Sequence, residues 1–189
     1  NDIIADVVVP IPDSGVSAAI GFSQKSKIPF ELGIIRSHYV GRTFIEPSQT
    51  IRQFGVKLKH SVNRSCIENK RVILIDDSIV RGTTASKIVK MVYEAGAKEV
   101  HLGISCPPIL HPDFYGIDTP NYNQLIASKS SLKEMTKLVG AKSLFFLSLN
   151  GTYKAMGCEK RNSKTPQFTD HCFTGEYPID VTEILKLNR

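Results

Sequence analysis

The stretch of sequence that decides the fold is Val72-Ile73-Leu74-Ile75-Asp76-Asp77-Ser78-Ile79-Val80-Arg81-Gly82-Thr83-Thr84. Its first four residues are continuously apolar, which is typical of a parallel strand covered on both faces. Two carboxylates, Asp76 and Asp77, follow at the carboxyl end of that strand, where open α/β sheets bind their ligands. A turn then leads into a helix expected over residues 83–95, with Gly96 closing its C-terminus. The stretch therefore predicts a ligand site at a strand-to-helix junction.

The turn in this stretch has the composition of a phosphate site. A helix start offers unpaired amides and a partial positive charge to an anion, and Gly82 permits a close backbone approach. Hydroxyl donors are supplied by Ser78, Thr83 and Thr84. Because Asp76 and Asp77 would repel a phosphate, they are interpreted either as partners of ribose hydroxyls or as groups acting through water on Mg²⁺. The alternative is that these residues only cap the helix and turn the chain. That interpretation is favoured for any single residue but not for the stretch as a whole.

The rest of the chain alternates between strand and helix patterns. Further strands are predicted at 6–11, 30–35, 100–105 and 144–147, and further helices at 16–27, 124–127, 132–139 and 149–156. This alternation predicts a parallel α/β sheet with right-handed crossovers. Residues 36–70 show neither period and are predicted to form a long functional loop. Residues 158–189 are predicted to be an appendage packed on the core.

Length, charge and cysteine spacing exclude several classes of protein. The 189 residues fit one domain, and 41% of them are apolar, which is enough to build a core. The formal charge is +6, and residues 36–71 alone hold eight basic residues against two acidic ones. Such a local positive segment suits a compact anion better than a long nucleic acid. No apolar run reaches transmembrane length, the start lacks a signal-peptide pattern, and no C-x-x-C pair occurs, so we expect a cytoplasmic protein with free thiols.

Four motifs resemble those of one enzyme family. They are VPIPDSG at residues 9–15, HYVGRTFI at 38–45, DSIVRGTT at 77–84 and FYGID at 114–118. These motifs are similar to those of the amidophosphoribosyltransferases, which are type I phosphoribosyltransferases, and the similarity extends over nearly the whole chain. It implies a type I phosphoribosyltransferase-like parallel sheet flanked by helices. It also implies a core over residues 1–157 with a long flexible lid at about 36–60, followed by the C-terminal appendage at 158–189.

The resemblance also implies a reaction. Members of this family transfer an amino group to C1 of phosphoribosyl pyrophosphate, using ammonia that a glutaminase domain releases from glutamine. The products are 5-phosphoribosylamine and pyrophosphate, in the first step of de novo purine (IMP) biosynthesis. Because this chain starts at Asn1, we expect the N-terminal glutaminase domain to be absent from it, which would leave it active at most with ammonia. Purine nucleotides are expected as feedback ligands and the full-length enzyme as a homo-oligomer, with neither a membrane nor a nucleic acid as a partner.

The functional residues of the family carry over onto matching positions. The resemblance implies catalytic roles for Tyr39, Arg42, Asp76 and Asp77. It implies a substrate-binding set made of Asp13, Ser14, Gly15, Arg36, Ser78, Val80, Arg81, Gly82, Thr83 and Thr84. Mg²⁺ is the implied cofactor, with Ser14, Asp76 and Asp77 as its ligands. In this interpretation the lid brings Tyr39 and Arg42 over the pyrophosphate and keeps water away from the reacting ribosyl group.

An iron–sulfur cluster, which some members of the family bind, is not expected in this chain. The resemblance places three of its cysteine positions at Asp113, Thr169 and Cys172, so only one thiol of that set remains. Cys172 is therefore predicted to be structural. The five histidines are scattered along the chain and are predicted to be ordinary surface or loop residues.

Two other functions stay open when the residues alone are considered. One is a non-catalytic regulator that senses phosphoribosyl pyrophosphate, with RNA as a further ligand, and such a protein would interleave aromatic and basic residues. Tyr39, Phe44 and Phe54 fit that pattern only in part. The other is a nucleobase salvage phosphoribosyltransferase, which needs an aromatic or acidic hood over the base. The motifs at 9–15 and 38–45 argue against both.

Overall fold

The computed structural model describes residues 3–37, 60–117, 119 and 121–183. Four strands form a parallel sheet, namely β1 (Val7–Pro10), β4 (Arg71–Asp76), β5 (Glu99–Ile104) and β6 (Ser143–Phe146). Their spatial order is β1-β4-β5-β6. A separate antiparallel pair consists of β2 (Ile34–Arg36) and β3 (His60–Val62). The predicted α/β class with a parallel sheet is confirmed.

Helices cover the sheet. The longer ones are α1 (Val16–Ser26), α3 (Thr83–Glu94), α5 (Leu132–Val139) and α6 (Leu149–Ala155). Single turns are α2 (Arg64–Ile67), α4 (Ile126–Lys129) and α7 (His171–Thr174), and a 3₁₀ turn occupies Tyr122–Gln124. Gly96 follows α3 with a φ of 96° and donates its N–H to the Tyr93 carbonyl, which confirms the predicted helix end. Within the described ranges, none of the helices is long and apolar enough to cross a membrane.

The core lies on both faces of the sheet, as the apolar run of β4 predicts. Successive side chains of a strand point to opposite faces. Ile73 and Ile75 therefore pack in one cluster with Ala19 of α1, and Leu74 packs in the other with Ile88 of α3. Burial of each such aliphatic side chain contributes roughly 1.5–3 kcal/mol. This two-sided burial fixes the position at which β4 ends and its polar residues begin.

The segment after α1 differs from the prediction of one strand at 30–35. Phe30 makes only an isolated parallel bridge with Val8. The strand proper, β2, begins at Ile34 and pairs with β3 instead of joining the parallel sheet. The change of partner occurs at Gly33, whose carbonyl accepts the Asn63 N–H at 2.8 Å.

The predicted loop over residues 36–70 is wrong at its C-terminal end. Residues 60–70 contain β3 and α2, and the Asn63 side chain caps α2 by accepting the Ser65 N–H at 3.2 Å. Elements of three and four residues are too short to produce a readable period. Residues 38–59, with the body of the predicted lid and with Tyr39 and Arg42, lie outside the described residues.

The described part of the C-terminal segment is anchored to the core by buried and half-buried polar contacts. The Tyr153 hydroxyl of α6 donates to the Asp170 carboxylate at 2.8 Å, and the Arg161 guanidinium donates to the same carboxylate at 2.5 Å. The Tyr177 hydroxyl donates to the Pro112 carbonyl at 2.8 Å. These contacts hold α7 beside the loop that follows β5.

The order of connections places β1 at a switch point. Residues 29–31 pair with Val8 on one side of β1, and β4 lies on its other side. In open α/β sheets, ligands bind outside the carboxyl ends of the strands at such a point. The Ile11 N–H donates to the Ile75 carbonyl at 2.8 Å, so β1 and β4 end side by side at the same edge.

Candidate functional site

The turn between β1 and α1 packs its backbone directly against the end of β4. A Cβ atom at Gly15 would lie 2.2 Å from the Ile75 carbonyl oxygen and 2.8 Å from the Ile11 carbonyl oxygen. Only glycine fits this position without a displacement of backbone. The neighbouring side chains of Asp13 and Ser14 are exposed, and the Pro12–Asp13 peptide bond is cis. The turn therefore presents a carboxylate and a hydroxyl at the carboxyl edge of the sheet.

The two carboxylates after β4 have different surroundings. Asp76 is buried, and one of its carboxylate oxygens accepts the Asp77 N–H at 3.0 Å. Asp77 is exposed and accepts the Ser14 hydroxyl at 3.1 Å. Burial of Asp76, followed by its interaction with the Asp77 side chain, raises the pKa of Asp76 to about 7. A cation bound between the two carboxylates would favour the charged form of Asp76.

The start of α3 is free to receive an anion. Gly82, at the N-cap position, has a φ of 75°, and among the described residues no side chain caps the helix or places an acid in its first turn. The Ser86 N–H makes a helical bond to the Gly82 carbonyl at 2.9 Å. The amides that precede Ser86 in the helix carry the partial positive charge of a helix N-terminus. The side chains of Thr83 and Thr84 are exposed beside them.

A distant segment holds the turn before α3. The Ile126 N–H donates to the Val80 carbonyl at 2.8 Å, and the Arg81 guanidinium donates to the Gln124 side chain. No local pattern in the sequence points to Gln124, because it lies 43 residues from Arg81 and belongs to no recognisable motif. It is an addition to the predicted site, acting on the orientation of Arg81.

Arg36 adds a cation at the same edge of the sheet. Its guanidinium donates to the Asp13 carboxylate at 2.5 Å, and the side chains are 33% and 55% exposed. An ion pair this open to solvent contributes at most about 1 kcal/mol to stability. The pair is therefore available for exchange, and an incoming anion can take the place of Asp13.

The structure brings most of the predicted substrate-binding residues together. The turn at 13–15, Arg36 of β2 and the stretch 76–84 meet through the Ser14–Asp77 and Arg36–Asp13 contacts. Tyr39 and Arg42 lie outside the described residues, so their positions stay predictions. Asp13 is paired with Arg36, a contact that no local sequence pattern predicts.

The donor set at this edge suits Mg²⁺. Asp76 and Asp77 offer carboxylate oxygens and Ser14 offers a hydroxyl, and Mg²⁺ is a hard cation that prefers oxygen ligands. An iron–sulfur cluster does not fit the C-terminal positions, because such clusters are held mainly by several thiolates. Cys172 lies 3.8 Å from the Asp113 carboxylate, where a second thiol would be needed.

The prediction that the histidines are surface or loop residues is wrong for three of the four described ones. His60, His101 and His171 are buried. One ring nitrogen of His101 lies 2.7 Å from the Ser143 hydroxyl, and one of His171 lies 2.8 Å from the Asp113 carboxylate. These histidines are buried by residues that are distant in the sequence. The residues next to a histidine therefore do not show that it will be buried.

Comparison with known proteins identifies the class of protein that this fold and site define. Residues 2–112 match the family described as the phosphoribosyl transferase domain, and the chain belongs to this family. Similar proteins of known name indicate which phosphoribosyltransferases the chain resembles. The chain is 64% identical over 180 residues to the amidophosphoribosyltransferase of Rhizobium etli, covering 95% of this chain and 36% of that enzyme. The Bacillus subtilis enzyme of the same name is 52% identical over 177 residues, covering 94% of this chain and 37% of its own.

A solved structure supports the same relation. The glutamine phosphoribosylpyrophosphate amidotransferase from B. subtilis, complexed with ADP and GMP, matches with a TM-score of 0.83 at 51% identity, covering 96% of this chain and 40% of that chain. The predicted type I phosphoribosyltransferase fold and the resemblance to amidophosphoribosyltransferases are confirmed. The chain spans less than half the length of each of these relatives.

Proposed function

We propose that the chain carries the phosphoribosyl transfer step of an amidophosphoribosyltransferase, in which ammonia displaces pyrophosphate from C1 of phosphoribosyl pyrophosphate to form 5-phosphoribosylamine. One observation carries this proposal: an acidic pair, a free helix start and a glycine-packed turn converge at the carboxyl edge of β1 and β4. A diphosphate-bearing sugar phosphate needs these three kinds of partner at once.

Each part of the substrate has a matching group. The 5-phosphate would bind the amides at the start of α3 and the hydroxyls of Ser78, Thr83 and Thr84. The pyrophosphate would lie over the turn at 13–15, where Arg36 can exchange its bond to Asp13 for a phosphate oxygen. The ribose hydroxyls would face Asp76 and Asp77.

The proposed reaction needs no covalent nucleophile from the protein. The bond from nitrogen to C1 forms as the bond from C1 to the pyrophosphate oxygen breaks, the bonding electron pair leaves with pyrophosphate, and the added nitrogen loses a proton. When bound at Ser14, Asp76 and Asp77, Mg²⁺ would neutralise charge on the leaving group. The residues of the chain hold the sugar and the diphosphate in place through preorganised donors. The predicted lid, with Tyr39 and Arg42, would exclude water from C1.

Nucleotide control is part of the proposal. A relative from B. subtilis has been solved with ADP and GMP, and the free helix start of α3 is a suitable partner for a nucleotide phosphate. The names of the relatives do not favour a non-catalytic sensor or a salvage enzyme.

Calorimetric titration with phosphoribosyl pyrophosphate, with and without Mg²⁺, tests the site. We expect Mg²⁺ to strengthen binding, and we expect the Asp76→Asn/Asp77→Asn variant to lose that effect. The matched control, Glu159→Gln/Asp180→Asn, removes two exposed carboxylates away from the site and should bind as the parent chain does. Equal binding by both double variants would contradict the assignment of the acidic pair.

A turnover assay tests the reaction. Pyrophosphate should be released from phosphoribosyl pyrophosphate when ammonium salts are supplied. Release that requires adenine, guanine or hypoxanthine instead of ammonia would replace the proposal with a salvage transferase.

A further inference from the structure

A compact group of chemically different side chains lies apart from the proposed active site. Asp113 is in the loop after β5, and His171 and Cys172 begin α7. One oxygen of the Asp113 carboxylate lies 2.8 Å from Nε2 of His171. The Cys172 sulfur lies 3.4 Å from that same nitrogen and 3.8 Å from that same oxygen. One oxygen, one nitrogen and one sulfur thus converge on a common point.

This convergence differs from a nucleophile-activating relay. In a relay the carboxylate contacts one ring nitrogen and the nucleophile contacts the other. Here the carboxylate and the thiol both contact Nε2 of His171, and Nδ1 of that buried ring makes no hydrogen bond within the described part of the chain. A shared point of approach is the arrangement that a bound cation requires.

The separations are close to those of a tetrahedral zinc site. Zinc bonds of about 2.0–2.1 Å to nitrogen and oxygen and about 2.3 Å to sulfur place neighbouring ligand atoms roughly 3.3–3.6 Å apart. Of the two distances to the Cys172 sulfur, 3.4 Å lies within that range and 3.8 Å exceeds it by about 0.2 Å. The larger adjustment is at the 2.8 Å separation between Asp113 and His171, which must open by about half an ångström.

The surrounding structure holds the three groups in place. The second oxygen of Asp113 accepts the N–H groups of Tyr115 at 2.8 Å and Ile117 at 2.9 Å, which leaves the first oxygen directed at His171. The carbonyl of Cys172 accepts the backbone amides of Leu110 and His111 at 2.9 and 3.0 Å. The two chain segments that carry the ligands are therefore already joined, and outer contacts of this kind tune metal sites.

Packing restricts the histidine as well. The rings of Tyr115 and Tyr177 lie against the His171 ring, with centroids 5.0 and 5.1 Å away. The side chains of Asp113 and His171 are only 4% and 5% exposed. A cation that entered here would exchange water for ligands with little reorganisation of the protein.

We propose that Asp113, His171 and Cys172 bind a single divalent transition-metal ion of the zinc class, which links α7 to the loop after β5. One thiolate, one imidazole and one carboxylate form a set that suits Zn²⁺ or Co²⁺ and not Mg²⁺ or Ca²⁺. Three protein ligands leave the fourth position for water. The ion would stabilise the C-terminal segment by binding only the folded chain.

Cobalt spectroscopy of the metal-free chain tests the proposal. Titration with Co²⁺ should produce the intense visible bands of a tetrahedral site together with a thiolate-to-cobalt charge-transfer band, with an end point at one ion per chain. The Cys172→Ser variant should lose the charge-transfer band, and Zn²⁺ affinity should fall at least about tenfold. Cys158→Ser, which removes a thiol outside the cluster, is the matched control and should behave as the parent chain does.

A second measurement on the parent chain does not depend on whether a variant folds. Alkylation of the four free thiols, followed by mass spectrometry, should show that Zn²⁺ protects Cys172 selectively. Protection of Cys106 instead, no protection at any thiol, or the absence of a charge-transfer band in the parent chain would each overturn the proposal. These outcomes are independent of the phosphoribosyl pyrophosphate titration, because none of the three residues belongs to that site.

Discussion

Gly15 is the residue at which the candidate site tolerates the least change. A Cβ atom there would meet the Ile75 carbonyl oxygen at 2.2 Å, and this neighbour is the backbone of the central strand. We expect Gly15→Ala to lower the free energy of unfolding by about 1–3 kcal/mol, as overpacking of a core does. Binding of phosphoribosyl pyrophosphate should weaken as well, because the turn at 13–15 must move. Urea denaturation and calorimetry measure the two effects.

Gly21 provides the control at the same scale. It lies within α1, and a Cβ atom there would meet nothing within 4 Å. Gly21→Ala should raise the free energy of unfolding by about 0.5–1 kcal/mol through helix propensity and leave ligand binding unchanged. If Gly15→Ala and Gly21→Ala had effects of the same sign on stability, the close approach of Gly15 to the end of β4 would not explain the glycine at position 15.

At the scale of elements, the start of α3 depends on a backbone conformation at Gly82. Its φ of 75° is left-handed, which costs other residues roughly 1–2 kcal/mol. Gly82→Ala should therefore lower the free energy of unfolding by about that amount. It should also weaken binding of phosphoribosyl pyrophosphate, because strain at the N-cap shifts the amides that would receive the phosphate. Denaturation and calorimetric titration of the same preparation measure both.

A variant at Gly140 separates the effect on stability from the effect on ligand binding. It ends α5 with a φ of 76° and has open space around it, so Gly140→Ala carries a similar backbone cost away from the site. Gly82→Ala should lose at least as much stability as Gly140→Ala, because its added Cβ would also meet the Ile126 side chain at 3.0 Å. Only Gly82→Ala should lose affinity. Equal affinity in both would show that the start of α3 does not receive the phosphate.

The elements differ in how far the sequence could predict them. Strand β4 and helix α3 were predictable because an apolar run, a glycine and a row of hydroxyls are local signals within 72–84. The β2–β3 pair was not, because strands of three residues are selected by a partner more than 20 residues away. The same holds for the contact between Arg81 and Gln124 and for the pair formed by Asp113 and His171, 58 residues apart. The central residues of the site could therefore be predicted from local patterns. The residues that hold them in place could not, because long-range packing brings them there.

At the scale of the whole molecule, an ion pair joins the starts of β1 and β4 at the sheet edge opposite the candidate site. Asp6 precedes β1 and Arg71 begins β4. The Asp6 carboxylate accepts the Arg71 backbone N–H at 2.8 Å and its guanidinium at 2.6 and 3.0 Å. Those hydrogen bonds hold the pKa of Asp6 well below its usual range. The pair therefore adds to the β1–β4 pairing that aligns the two strands whose other ends build the site.

This ion pair gives the stability of the chain a defined pH dependence. A carboxyl whose pKa is lower in the folded state binds its proton more readily when unfolded, so its stabilising contribution is complete above an unfolded pKa of about 4 and is lost as pH falls through the folded value. Asp6→Asn should therefore be less stable than the parent chain near neutral pH, and the difference should shrink below about pH 4. Urea denaturation midpoints between neutral and strongly acidic pH measure it.

Glu159→Gln is the matched control for this prediction, since Glu159 is an exposed carboxylate and makes no ion pair within the described residues. Its midpoints should follow those of the parent chain across the whole pH range. The difference in urea midpoint between Asp6→Asn and the parent chain could instead stay constant down to the most acidic pH. The stabilisation would then come from packing and neutral hydrogen bonds and not from the charge of Asp6. The alignment of β1 and β4, and with it the meeting of the turn at 13–15 and the acidic pair, would then be independent of pH.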